Sequence, residues 1–324
     1  MQRRLIKILN AKIELMASFP IIHASNYFST TDVESLLSDY RNVEDLPADT
    51  ACDGVIIIID APGEPFLCFS GNEVAARGPF AALEREMKDK RYTLLGNQGL
   101  LYRFLLYILE KEHGIFSFHA NALYHEGRNE LFVVFGGAAS GKSPALLAGL
   151  CNGLKVVGTE LVHFSMDKGG CSFYRSSCLD NVRPSCISED FPELLERLRV
   201  PGTRGFSSPS SKFLLDMRMF GEPRERLDNP KLRLVVPKVE AGRSPAIADR
   251  VADTGLKRKM LFDNLSEKIG ASFTMYNSMA CTGFDNPMLA GRRLHVAEAL
   301  LAAAGQPDIE IYLASPRYFL EVLK

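Results

Sequence analysis

Apolar and polar positions change their spacing several times along the chain, and each change marks an element. Residues 3–17 mix apolar and charged positions in a way that suits either a strand or a short helix. Residues 31–40, TDVESLLSDY, read as a helix with Thr31 as its N-cap. Asp53-Gly54 then opens Val55-Ile56-Ile57-Ile58-Ile59, an apolar run that predicts a buried strand. Turn chemistry from Asp60 to Pro65 leads into a returning strand, Phe66 to Phe69. A helix is predicted over 80–91. The clearest amphipathic helix is 99–112, GLLYRFLLYILEKE, stopped by His113-Gly114.

Past Gly114 the pattern turns to strands. Residues 115–123, IFSFHANAL, alternate, and 131–135, LFVVF, form a fully apolar run that predicts a buried central strand. A glycine-rich loop, a helix from Pro144 to Cys151 and a strand from Leu154 to Val157 follow. That succession is the local grammar of an α/β sheet. Residues 199–212 are rich in Gly, Ser and Pro and read as an exposed loop carrying Arg204 and Lys212, either a substrate lid or a plain linker. Residues 231–239 predict a strand, 243–285 two weak helices, and 287–304 a helix ending at Gly305. The strand Ile309 to Leu313 and a short helix from Pro316 close the chain. The run Lys257-Arg258-Lys259 reads as a solvated helix face, and Gly242-Arg243-Ser244 as a turn that could contact substrate.

At about 150 residues per domain, 324 residues imply two domains, with the boundary near 95–100. Apolar residues at 46% and charged residues at 24% exclude a disordered chain, a collagen or a coiled coil. Thirty-eight basic against 39 acidic residues leave a net charge of −1, which offers no general attraction to nucleic acid or an anionic membrane. Lys12 and Glu14 interrupt the apolar stretch a signal peptide needs, and no window of about 20 apolar residues suggests a span. The 7 cysteines include no C-x-x-C pair, so they predict reduced thiols and a cytoplasmic setting.

The segment Gly136-Gly137-Ala138-Ala139-Ser140-Gly141-Lys142-Ser143 fits G-x-x-x-x-G-K-[ST] at every fixed position. Its glycines let successive amides point at one centre, where a polyphosphate sits at the N-terminus of the following helix. Lys142 would reach the β- and γ-phosphates, Ser143 would ligate Mg2+, and Pro144 suits the first helical turn. ATP and Mg2+ are therefore the expected cofactors.

The flanks narrow the possibilities. His119-Ala120 precedes the loop on a strand, and Gly158-Thr159-Glu160 follows the loop helix and the next strand. This order resembles the HPr kinase/phosphorylase family and its relatives with a phosphoenolpyruvate-carboxykinase-like fold, over residues 100–184. In that family an H-[GA] pair, a phosphate loop and an acidic pair occur in this sequence. The resemblance implies an α/β kinase domain with a mixed sheet at 99–324, preceded by a smaller α+β domain at 1–98. It implies transfer of the γ-phosphate of ATP to a hydroxyl, on a small metabolite or on a serine of a peptide or protein. It also implies a homo-oligomer, for which the chain itself carries no assembly motif.

Carried over residue by residue, the resemblance assigns Lys142 to the phosphates and Ser143 and Glu160 to the metal. Glu160 does both acidic jobs, or His119 acts as the base. Arg183, in a Val182-Arg183-Pro184 stretch similar to the family's L-R-P, or Arg175, would steady the moving charge. His163 reads as structural. Thr159 stands where the family has its first acid, and its hydroxyl does not ionise near neutral pH. That departure keeps a second reading open, a nucleotide-binding regulatory or scaffold protein with decayed chemistry. A carboxykinase-like lyase lacks the spacing for its second metal site, and a transport ATPase lacks its signature helix motif.

Overall fold

The computed structural model describes residues 1–28, 40, 43–137, 139–167, 170–176, 178–198, 213–240, 242, 246–302 and 308–324. The expected helix at 31–40 apart from Tyr40, the 199–212 loop, Ala138, Arg243, Ser244 and Gly305 lie outside the described residues. The protein is a mixed α/β chain with two mixed sheets. Contacts divide it into two compact units, one of Met1–Phe116 with Ser266–Gly291, the other of Ser117–Leu265 with Arg292–Lys324. Both units are discontinuous, whereas the expected division at 98/99 is continuous; the helix expected at 99–112 belongs to the first unit.

The first unit holds a 6-stranded sheet. Residues 3–17 resolve into an antiparallel hairpin, β1 (Gln2–Ile8) and β2 (Ala11–Ala17), turned at Leu9 with φ 51°. Strand β3 (Glu44–Asp45) flanks β1. The isoleucine run is β4 (Gly54–Asp60), parallel to β2, with Ile56 and Ile58 fully buried and Ile59 exposed. One face of β4 is buried, not both, which corrects the reading as a buried strand. The predicted return, β5 (Phe66–Ser70), does not pair with β4. It forms the sheet edge against β6 (Glu73–Gly78), which inserts between them parallel to β4.

The helix expected at 80–91 shortens to α1 (Phe80–Glu86) and a separate turn at Lys90–Tyr92. Helix α2 (Leu100–His113) ends on left-handed Gly114 as predicted, but it is buried all round from Leu100 to Glu110. Arg103 therefore needs internal partners. It donates to the carbonyls of Lys268 (2.6 Å) and Ala271 (3.2 Å) and stacks on Phe273. Among the described residues of 243–285 the structure forms a strand, β16 (Ile247–Arg250), a single helix, α5 (Thr254–Gly270), and a short hairpin, β17 (Phe273–Met275) with β18 (Met279–Cys281).

The second unit is built on a 9-stranded sheet. Strand β7 (Ile115–His125) pairs antiparallel with β8 (Glu130–Phe135) on one edge and with β9 (Lys155–Gly158) on the other. Strand β9 is therefore not the parallel neighbour that a strand-helix-strand unit suggests. The parallel partner of β8 is β15 (Lys231–Val239), which is itself parallel to β19 (Ile309–Ala314). Beyond β7 lie β10 (Leu161–Asp167), β11 (Gly170–Tyr174) and β14 (Arg226–Asp228), and β16 (Ile247–Arg250) closes the far edge. A separate pair, β12 (Leu179–Val182) with β13 (Phe213–Asp216), stands apart from the large sheet. The remaining α-helices among the described residues are α3 (Lys142–Cys151), the single turn α4 (Leu195–Leu198), α6 (Pro287–Ala302) and α7 (Phe319–Val322). None of the described helices is long and apolar enough to cross a membrane.

Period-2 alternation divides the strand side chains between two faces. Phe118, Phe135, Phe164 and Phe173 stack on one face, and none is more than 3% exposed. The opposite face packs Leu123, Phe132 and Val134 against the buried side of α3. Gly149 lets α3 approach closely, since a Cβ there would meet Leu123 at 2.5 Å. His119 and Asn121 project from β7 toward this α3 face, because Asn121 pairs with Val134.

Phe164→Ala should destabilise the second unit by about 3–5 kcal/mol. Met219→Ala, at a residue 49% exposed, serves as its control and should change stability by less than about 0.5 kcal/mol. Urea denaturation measures both.

Candidate functional site

The glycine-rich loop connects β8 to α3, and its backbone conformation explains its composition. Gly136 has φ 154°, Ala139 φ 60° and Gly141 φ 114°. At Gly141 a side chain would be strained by the backbone and would meet Val239 Cγ2 at 2.2 Å. The loop is fastened to the core where Val239 N–H donates to the Ser140 carbonyl (3.1 Å). No side chain caps α3, and first-turn amides have no intrahelical acceptors. Helix α3 starts at Lys142, two residues before the expected start, so Pro144 is its third residue, within the first turn, and its missing amide costs no helical bond.

Lys142 curls over the loop, its Nζ donating to the carbonyls of Gly136 (2.7 Å) and Gly137 (3.3 Å). The Ser140 hydroxyl is buried with no hydrogen-bond partner among the described residues. A polar ligand lying in the loop would suit both groups, since a buried hydroxyl without a partner is costly.

The turn from β9 into β10 carries Thr159 and Glu160. Leu161 N–H donates to the Thr159 carbonyl at 2.6 Å, and Glu160 between them has φ 60°. A three-residue turn with positive φ at its centre is the rarer and more strained γ-turn. Such strain persists only where the surroundings over-determine it. Here Glu160 N–H donates to Asn121 Oδ1 (3.3 Å), and its carbonyl accepts from Ala120 N–H (3.2 Å). The side chain of Glu160 projects to His119, with Oε1 3.2 Å from Nε2. Glu160 is 38% exposed at its side chain and His119 only 10%, so the pair sits at the rim of the core.

Thr159 is fully buried, and its hydroxyl donates to the Leu179 carbonyl at 2.6 Å. That bond joins the Glu160 turn to β12, where the next residue is Asp180. Ser143 Oγ lies 3.5 Å from Asp180 Oδ2, and Asn181 N–H donates to the other carboxylate oxygen (2.7 Å). Asp180 is the residue the sequence reading missed. Its one sequence signal is a carboxylate on a short alternating strand, L-D-N-V, downstream of the acidic position.

The other candidates separate. Arg175 is held by Glu222 (2.7 Å), Glu225 and the Pro223 carbonyl (3.2 Å), so it braces residues 222–225. Arg183 follows β12, is exposed, and makes no ion pair among the described residues. His163 is fully buried with Nδ1 2.8 Å from Ser117 Oγ. Lys257, Arg258 and Lys259 pair with Asp308, Glu298 and Asp263 along the outside of α5. All 7 cysteines are free. Burial pushes the thiols of Cys151 and Cys186 up to about 12, which leaves no thiolate nucleophile there near neutrality.

No family model and no curated protein matches this chain. Among solved structures, the HPr(Ser) kinase/phosphatase from Coxiella burnetii aligns with 43% of this chain and 79% of its own, at 14% identity and a TM-score of 0.25. A similarity of that size transfers neither a fold nor a residue role.

Placing an acid at position 159 tests the brace. Thr159→Val removes one buried hydrogen bond and should cost about 1 kcal/mol. Thr159→Asp would face a carboxylate against the Leu179 carbonyl without solvent and should cost about 3 kcal/mol or more. Chemical denaturation of the two variants at pH 7 decides the order.

Proposed function

We propose that the chain is a magnesium-dependent phosphotransferase that passes the γ-phosphoryl group of ATP to a hydroxyl. The observation that carries this reading is a chain of contacts linking the loop to two carboxylates. Ser143 stands beside Asp180, and the Thr159–Leu179 bond ties Asp180 to the strained turn holding Glu160 against His119. Bound ATP with its magnesium supplies the activated phosphoryl group and a cation that offsets its charge.

The residues divide the remaining work. The backbone of Gly136–Ser143 cradles the phosphates, and Lys142 leaves the carbonyls of Gly136 and Gly137 to meet them. Ser143 holds the cation together with Asp180 and, directly or through water, Glu160. Glu160 also receives the acceptor's proton. His119, with Nε2 3.2 Å from Glu160 Oε1, orients the carboxylate that acts as base. Arg183, exposed just after β12 and without an ion pair among the described residues, is available to an incoming substrate. The acceptor is a small molecule or a serine in a peptide or protein. With Thr159 engaged as a brace between the two acidic segments, its presence in place of an acid does not argue for decayed chemistry.

Calorimetric titration of Mg-ATP tests the reading. Wild type should bind saturably and only with magnesium. Lys142→Ala should lose about 10- to 100-fold in affinity, the scale of hydrogen bonds to a charged group. Asp180→Asn should raise the magnesium requirement by about 10-fold or more. In acceptor screening by mass shift, Glu160→Gln should lower the rate by about 100-fold or more. Absence of binding by wild type, with and without candidate hydroxyl compounds, overturns the proposal.

A further inference from the structure

We infer that Asn264, on α5, is a positioning residue for the His119–Glu160 pair. The starting point is the ladder between β7 and β8. Its last pair is Ala120 with Phe135, so the next would be His119 with Gly136. Gly136 is the residue at which β8 leaves the sheet to form the glycine-rich loop, with φ 154°. The backbone N–H and C=O of His119 point toward that vacated position, because Ala120 N–H points the opposite way, to the Glu160 carbonyl. Left there unpaired and buried, the two groups would be costly.

Asn264 fills the place. Its Oδ1 accepts from His119 N–H at 3.0 Å, and its Nδ2 donates to the His119 carbonyl at 3.1 Å. Both residues are buried, at 7% and 8% exposure. A side-chain amide has the donor and acceptor of a peptide group, so it continues the ladder for one residue after the strand has gone. His119 is thereby held on one edge by Asn264, while the adjoining Ala120 is held on the other by Glu160. Both ends of the 3.2 Å contact between His119 Nε2 and Glu160 Oε1 are set by these backbone bonds. No other side chain matches both groups with this reach: aspartate lacks the donor and glutamine adds a methylene.

The catalytic consequence rests on the phosphotransferase reading; the geometric one does not, and the experiment separates them. The chain has 6 histidines, and spectra of ring-15N-labelled protein, with His119→Gln for assignment, isolate the His119 signal. In the wild-type background, Glu160→Gln should shift that signal. In Asn264→Ala the signal should move toward its Glu160→Gln position, and adding Glu160→Gln should then change little. Asn264→Asp keeps the shape and the acceptor but loses the donor, and is read in the same way should the alanine variant not fold. A folded variant in which His119 responds to Glu160→Gln as fully as in wild type overturns the inference. Where transfer activity is found, Asn264→Ala should lower kcat by about 100-fold while Mg-ATP affinity stays within about twofold, well under one tenfold step. A parallel loss of affinity would mark general damage and overturn the positioning role. Failure of wild type to transfer phosphate would strike the phosphotransferase reading and leave the spectroscopic result standing.

Discussion

The hydroxyl of Thr159 donates to the carbonyl of Leu179 out of reach of solvent, and the placement of both carboxylates follows from that bond. On one side it steadies a turn in which Glu160 adopts a backbone conformation that non-glycine residues rarely take. On the other it fixes the residue preceding Asp180, which stands beside Ser143 at the start of α3. A charged residue at 159 would have to be desolvated against a carbonyl. A threonine meets the requirement with one donor.

Strand β7 organises the rest. One of its faces contributes Phe118 to a stack of aromatic rings; the other turns Asn121 and His119 toward the loop helix. Because the strand outruns β8, the end that carries His119 has lost its neighbour on that edge. The loop and the orphaned peptide at His119 are two results of the same event, the departure of β8 at Gly136. The glycine-rich loop and the need for a surrogate partner thus arise at one place in the sheet, and Asn264 answers the second.

How legible the protein was in its sequence depends on the range of the forces involved. The Gly136–Ser143 motif, the helix ending at Gly114 and the apolar strands at 115–123, 131–135 and 231–239 rest on local chemistry, on φ preferences and on runs of side chains. They were readable for that reason. Strand neighbours were not. Phe66–Phe69 reads as the hairpin return of the isoleucine strand, yet β6 intervenes, because pairing is decided by which edges can be covered and not by succession. The all-round burial of α2 likewise depends on what surrounds it, since its own charges Arg103 and Glu110 point to an exposed face.

The candidate site divides along the same line. By itself the sequence marked out the loop and the basic residue at its end as candidates, because each is a short segment whose residue types suit one task, and it offered the acid at 160 only through a family resemblance. Only the tertiary structure decided which acid stands by Ser143, that Arg175 is bound up with Glu222 and Glu225, that Thr159 is a brace and that Asn264 completes the strand at His119. The separation of 145 residues between His119 and Asn264 is the physical reason. A hydrogen bond within about 3 Å carries no trace along the chain of how far apart its partners lie, so it exists for the reader only once the chain has folded.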